Sequence, residues 1–171
     1  MSNGFFMLSA LDKDAYLAIN YFQKISSLEI KRFLLNQPEL SNIMSISALE
    51  LSHLTGMRLS LAQEFITWRR NWKPEKILSQ LTPRGLMTVT WQDDDYPGWL
   101  KNIPNPPPLL YYQGKPPPPA LNNLTVVGSR EPSSYSQQVI NNLLPPLLKS
   151  GFNIISGLAI GVDTLAHQTA L

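Results

Sequence analysis

The sequence predicts an α/β chain in which a small all-α region precedes part of a parallel sheet. Three observations carry this. Residues 10–82 have helical apolar spacing punctuated by helix-start residues, nine of the fifteen prolines fall between Pro97 and Pro119, and two short β-branched runs near residues 124–128 and 152–156 switch abruptly to Gly and Ser. Strands that read as unbroken apolar runs suit a sheet covered on both faces, and such sheets release their ligand-binding loops at the carboxyl ends of the strands.

Helices are expected over residues 12–23, 27–36, 47–53, 58–72 and 74–81. Asp12 and Ser27 are candidate caps, Ser47 with Glu50 has the spacing of a capping box, and Pro74 suits a first helical position. Together they predict a helical bundle domain over residues 1–82. Within it, Leu54, Thr55, Gly56, Met57 and Arg58, with Ala62 beyond, resemble a helix-hairpin-helix element, whose hairpin N–H groups can grip a phosphate. The plainer reading of Gly56 is a turn.

Residues 58–84 carry Arg58, Arg69, Arg70, Lys73, Lys76 and Arg84 against Glu64 and Glu75, whereas the remainder is slightly acidic. Trp68 and Trp72 interleave with these cations, a pattern that serves base stacking and phosphate neutralisation together. Helical spacing from Leu61 through Phe65 to Trp68 and Trp72 instead turns both indoles to the core and Arg70 to water, and that is the expectation taken.

Residues 83–123 are expected to be a proline-rich connector with strands at its margins, Leu86 to Trp91 and Leu109 to Gln113. Pro116 to Pro119 should form an extended spacer. Asp93, Asp94 and Asp95 invite a Mg²⁺ hypothesis. Neighbouring side chains diverge in an extended segment and no second ligand cluster follows, so a solvated turn is expected.

Residues 124–171 read as a strand, a helix from about 134 to 149, a strand and a last helix starting near Asp163. Right-handed crossover makes the strands parallel. Pro145 should kink or restart the first helix at Leu144. The first loop, Gly128, Ser129 and Arg130, and the second, Ser156, Gly157, Ala159 and Gly161, then meet at one sheet edge. Arg130 can hold two phosphate oxygens in its planar fork; its other reading is an ion pair with Asp163. Ser156 would offer a hydroxyl, Gly157 an unobstructed N–H, and Gly161 a close approach to a ligand. Both glycines can instead serve packing alone. Asp163 is expected to cap the last helix, with His167 one turn later as a structural or DNA-orienting partner. Lys149 complements the dipole of its helix.

These two loops, with Asp95, Tyr96, Pro97, Leu100, Pro107 or Pro108, Leu110 and Gly114 before them, resemble the DNA processing protein A family, also called Smf, over about half of the chain. The resemblance implies a partial Rossmann-like sheet after an all-α domain of the SAM or helix-hairpin-helix kind. It also implies binding and protection of single-stranded DNA in bacterial transformation and loading of a RecA-type recombinase, with no catalytic residue and no cofactor. A homodimer is implied if the full-length domain is present. The chain departs from the family at Ser136 and Gln137, where Gly usually follows the Tyr, and at Pro145 and Pro146. It ends at Leu171, where the family's domain is half built, so a truncated form is expected.

Several classes are set aside by inventory. Without cysteine there is no disulfide, thiolate chemistry or Cys-based zinc site. A net charge of +2 confines any nucleic-acid contact to local patches. Phe5 to Leu11 is too short to span a bilayer and lacks signal-peptide flanks, so a cytoplasmic protein without a membrane partner is expected. Neither G-x-G-x-x-G nor G-x-x-x-x-G-K-[ST] occurs, which argues against dinucleotide and P-loop sites. Two rivals stay open. One is a Rossmann-like nucleotide phosphoribohydrolase with Arg130 on a mononucleotide phosphate, although the Pro-Gly-Gly-x-Gly-Thr loop of such enzymes is absent. The other is a protein-interaction module built from the bundle and the proline stretch.

Overall fold

A computed structural model describes residues 9–115 and 122–171. The spacer expected at Pro116–Pro119 and the start of the Phe5–Leu11 stretch lie outside the described residues. The chain divides into two compact units, Met1–Pro117 and Pro118–Leu171.

In the first unit, helices α1 (Ala10–Phe22), α2 (Ser27–Asn36), α3 (Ala48–Thr55), α4 (Leu59–Arg69) and α5 (Pro74–Leu81) precede two strands, β1 (Leu86–Thr90) and β2 (Leu109–Gln113). Tyr16, Phe33, Phe65, Ile30, Leu40 and Ile43 are fully buried at its centre. Trp68 and Trp72 pack against this core and Arg70 is exposed, as the spacing predicts.

The caps differ by a residue or more from expectation. Ser9, not Asp12, caps α1 by accepting the Asp12 N–H at 3.1 Å. Asp12 instead accepts the Ser41 N–H at 2.8 Å, a tertiary use that local pattern does not reveal. Ser26, not Ser27, caps α2, forming a capping box with Glu29. Ser27 is buried and donates to the Pro106 carbonyl at 2.8 Å. Ser47 accepts the Glu50 N–H at 3.2 Å, which is one half of the expected box. Helix α4 stops at Arg69, short of residue 72. The Arg69 guanidinium is drawn off to donate to the carbonyls of Ile43 at 2.5 Å and Ile46 at 2.6 Å, closing a 3₁₀ turn against the helix.

Strands β1 and β2 pair antiparallel with each other, Leu86 opposite Gln113 and Thr90 opposite Leu109. They therefore form their own two-stranded sheet. Asp93 accepts from the Thr90 N–H at 2.8 Å and the Thr90 hydroxyl at 3.0 Å, so its carboxylate closes the turn after β1. The hairpin is tied to α1 by a polar chain in which Trp91 Nε1 donates to Tyr16 Oη at 2.6 Å and Tyr16 donates to Gln92 Oε1 at 2.9 Å.

Burial raises the Tyr16 phenol far above its ordinary value, with the Trp91 hydrogen bond opposing and the charges of Asp12 and Asp93 adding. Burial, then Tyr21, pushes Tyr111 up to about 12. An unfolded chain ionises tyrosine near pH 10, so the folded state holds more protons above that pH. Stability from both groups is complete below about pH 10 and falls as pH rises through the folded values. Chemical denaturation between pH 9 and pH 11.5 should show this loss, and Tyr16→Phe should flatten it.

The second unit runs β3 (Asn123–Thr125), α6 (Ser134–Lys149), β4 (Asn153–Ile155) and α7 (Val162–Ala170). β3 and β4 pair in parallel, Leu124 opposite Ile154, and the Val126 N–H extends the ladder to Ile155 O at 2.9 Å. This is the expected opening of a Rossmann-like β-α-β-α unit. Ile140, Leu144, Val162 and Ala166 form its buried centre.

Helix α6 does not restart at Leu144; it continues without a break through Pro145 and Pro146. The prolines remove donors that would meet the carbonyls of Asn141 and Asn142, but both residues are on the exposed side, where a carbonyl does not need a protein donor. Burial of Ile140 and Leu144 holds the helix across the gap. Among the described residues, no helix is long and apolar enough to cross a membrane.

Candidate nucleic-acid interface

The two loops of the second unit are brought together through glycine. Gly161 has φ 96° and ψ −131°, a backbone state that side chains disfavour. A Cβ built there would lie 2.3 Å from Ser129 O and 2.6 Å from Arg130 Cα. Next to it, the Val162 N–H donates to Ser129 O at 3.0 Å. Gly128 completes the contact, since a Cβ there would lie 2.7 Å from the Val162 side chain. The close approach that Gly161 permits is thus to the first loop, not to a ligand as expected.

Asp163 does not cap α7, whose N-cap position is Gly161 without a side-chain bond. Its buried carboxylate reaches back to accept the Gly157 N–H at 3.0 Å. The Gly157 N–H is therefore engaged, a correction to the expectation that it stands open. The Ser156 hydroxyl donates to Val126 O at 2.7 Å and so joins the two strand ends. Ala159 accepts from the Thr164 hydroxyl at 2.7 Å. These bonds latch the second loop to both neighbours.

Within that latched frame, what faces outward is different. Arg130 is exposed and takes part in neither ion pair found among the described residues, which are Lys13 with Asp93 and Lys24 with Glu64. The alternative pairing of Arg130 with Asp163 does not form. Ser129 holds the first loop by exchanging hydrogen bonds with Glu131 at 3.0 Å. Among the described residues, the N–H groups of Gly128, Ser129, Arg130, Leu158, Ala159, Ile160 and Gly161 have no protein acceptor. Leu158 adopts a left-handed φ of 55° and is 79% exposed, and Val127 and Ile160 are similarly open at 74% and 72%. A loop rim of free amides, one unpaired guanidinium and apolar side chains can meet both the anionic and the flat parts of a nucleotide strand.

The remaining candidates are peripheral. His167 has a buried Nε2 without a partner among the described residues and no hydrogen bond to Asp163, so the expected pair does not form. Lys149 is the exposed last residue of α6, suitably placed for its dipole. In the first unit, the hairpin amides at Gly56 and Met57 donate to Ser52 O at 2.9 Å and Thr55 Oγ1 at 3.2 Å. They are not free for phosphate. The sequence reading missed Val162 as the wedge between the loops and Asp163 as the loop latch. The short spacing from Gly157 to Asp163 was visible, but not which donor the carboxylate meets.

Comparison with known proteins agrees with this architecture. Residues 87–171 match the family model described as DNA recombination-mediator protein A. The DNA processing protein DprA of Bacillus subtilis is 32% identical over 58% of this chain and 34% of its own length. Protein Smf of Synechocystis is 29% identical over 91% of this chain and 40% of its own. The chain thus spans between a third and two-fifths of these relatives. The X-ray structure of DNA processing protein A from Streptococcus pneumoniae superposes with a TM-score of 0.68 at 21% identity, covering 96% of this chain and 54% of that one. With the glycine-joined loops and the parallel β3–β4 pair, residues 87–171 carry a domain of the DNA processing protein A (Smf) family.

Proposed function

We propose that the loop rim of the second unit binds the phosphate backbone of single-stranded DNA, and that the chain protects such DNA and hands it to a RecA-type recombinase in transformation. The observation that carries this is Arg130, exposed and without an ion pair among the described residues, on a first loop fixed by Gly161 and Val162. Unpaired loop amides beside it suit the repeating charge of a nucleotide chain, with little dependence on base sequence. Gly128, Ser129, Arg130 and Ala159 form the contact surface in this reading, and Gly161 joins the two loops. Ser156, Gly157 and Asp163 hold its shape, and His167 and Lys149 lie behind it. No step of bond making is assigned. Action in the cytoplasm, without a cofactor or a membrane, and dimerisation of a fuller chain belong to the same proposal.

The test is equilibrium binding of a fluorescent oligodeoxythymidylate by the wild-type chain and by Arg130→Ala. Loss of one charge-assisted contact, about 1.5–3 kcal/mol, should weaken binding roughly tenfold or more. Equal affinity of the two proteins would remove the rim from the proposal.

A further inference from the structure

We propose that an open groove in the first unit, at the end of α1 against β2, receives a single unpaired nucleobase. It is a further subsite for single-stranded DNA, built from residues of the first unit alone. The groove has a volume of about 270 Å³ and is lined by Asn20, Tyr21, Gln23 and Tyr111. No carboxylate lines it, so nothing there repels an electron-rich ring or calls for a cation.

Its walls combine two phenol side chains with two carboxamides. Tyr21 and Tyr111 are 42% and 37% exposed, and Trp72 packs on Tyr21, tilted, at 5.7 Å between ring centroids. Aromatic faces of this kind stack on any base. The Tyr111 hydroxyl donates to Asn20 Oδ1 at 3.0 Å, which fixes the Asn20 amide and leaves its NH₂ group as a donor. Gln23 stands at the left-handed C-cap of α1 with φ 61°, and among the described residues its carboxamide has no partner. A fixed donor beside a free amide provides the donor and acceptor pattern that a base edge requires.

The choice of nucleic acid as occupant rests on the single-strand reading above, so the experiment separates the two. An oligodeoxynucleotide carrying one 2-aminopurine is titrated, at low salt and up to saturation, into the 171-residue chain and its Tyr21→Ala, Gln23→Gly and Arg130→Ala variants. Stacking in the groove quenches 2-aminopurine in the wild type. Tyr21→Ala should lower affinity about tenfold and abolish the quench at saturation. Gln23→Gly keeps the left-handed cap and should reduce the quench without lowering the melting temperature. Arg130→Ala should retain the quench once saturated. Equal quenching in wild type, Tyr21→Ala and Gln23→Gly overturns the groove, as does absence of quenching in the wild type, even if Arg130→Ala still weakens binding. Quenching that depends on Tyr21 while Arg130→Ala binds normally supports the groove and removes the loop rim.

Discussion

Gly161→Ala should destabilise the second unit by about 3 kcal/mol or more, the sum of a disfavoured backbone state and a forced contact. The added methyl would lie 2.3 Å from Ser129 O and 2.7 Å from the Arg130 carbonyl carbon, and backbone cannot swing aside as a side-chain tip can. Separation of the loops would break the Val162 N–H bond to Ser129 and carry Arg130 away from the second loop. Single-strand affinity should therefore fall further than in Arg130→Ala. Gly151→Ala is the comparison. Its φ is 83° but nothing lies within 4 Å of its Cβ position, so only the backbone cost, about 1 kcal/mol, applies. Urea denaturation of the two variants checks the difference, and equal losses would mean that contact between the loops is unimportant.

Phe65→Ala should produce the largest loss in the first unit, about 3–5 kcal/mol. The ring is fully buried, meets Phe22 edge-on at 5.2 Å and stacks with Trp68 at 6.0 Å. Trp68 in turn lies 5.2 Å from Trp72, so a cavity at Phe65 would loosen the aromatic column that supports Tyr21. A stability of about 5–15 kcal/mol is usual for a domain, which makes this deletion a large fraction of the whole. Tryptophan fluorescence during denaturation reads it. A change below about 1 kcal/mol would show that the column is not cooperative with the core.

Much of this was legible in residue order because it is local. Pro74 opens α5, the Leu61-to-Trp72 spacing places both indoles inward, and the two runs ending in Gly128 and Gly157 precede loops of parallel strands. What was not legible depends on partners distant in sequence. Asp12 resembles a cap, yet its carboxylate is needed at Ser41, so Ser9 takes the local role. Asp163 has the composition of a helix start but meets Gly157, because Gly161 turns the chain sharply enough to bring that N–H within reach. Pro145 weighs against helix only until Ile140 and Leu144 find a core. The glycines were identified as places of close approach, while what approaches proved to be the neighbouring loop.

The salt dependence of single-strand binding tests the central claim most directly. Each phosphate neutralised releases a counterion, and on single strands the logarithm of affinity falls by about 0.7 per contact for each tenfold rise in salt. Between wild type and Arg130→Ala, the slope should become shallower by about that amount, with equal binding across base compositions. Identical slopes, or binding that does not respond to salt, would contradict a guanidinium seated on the backbone.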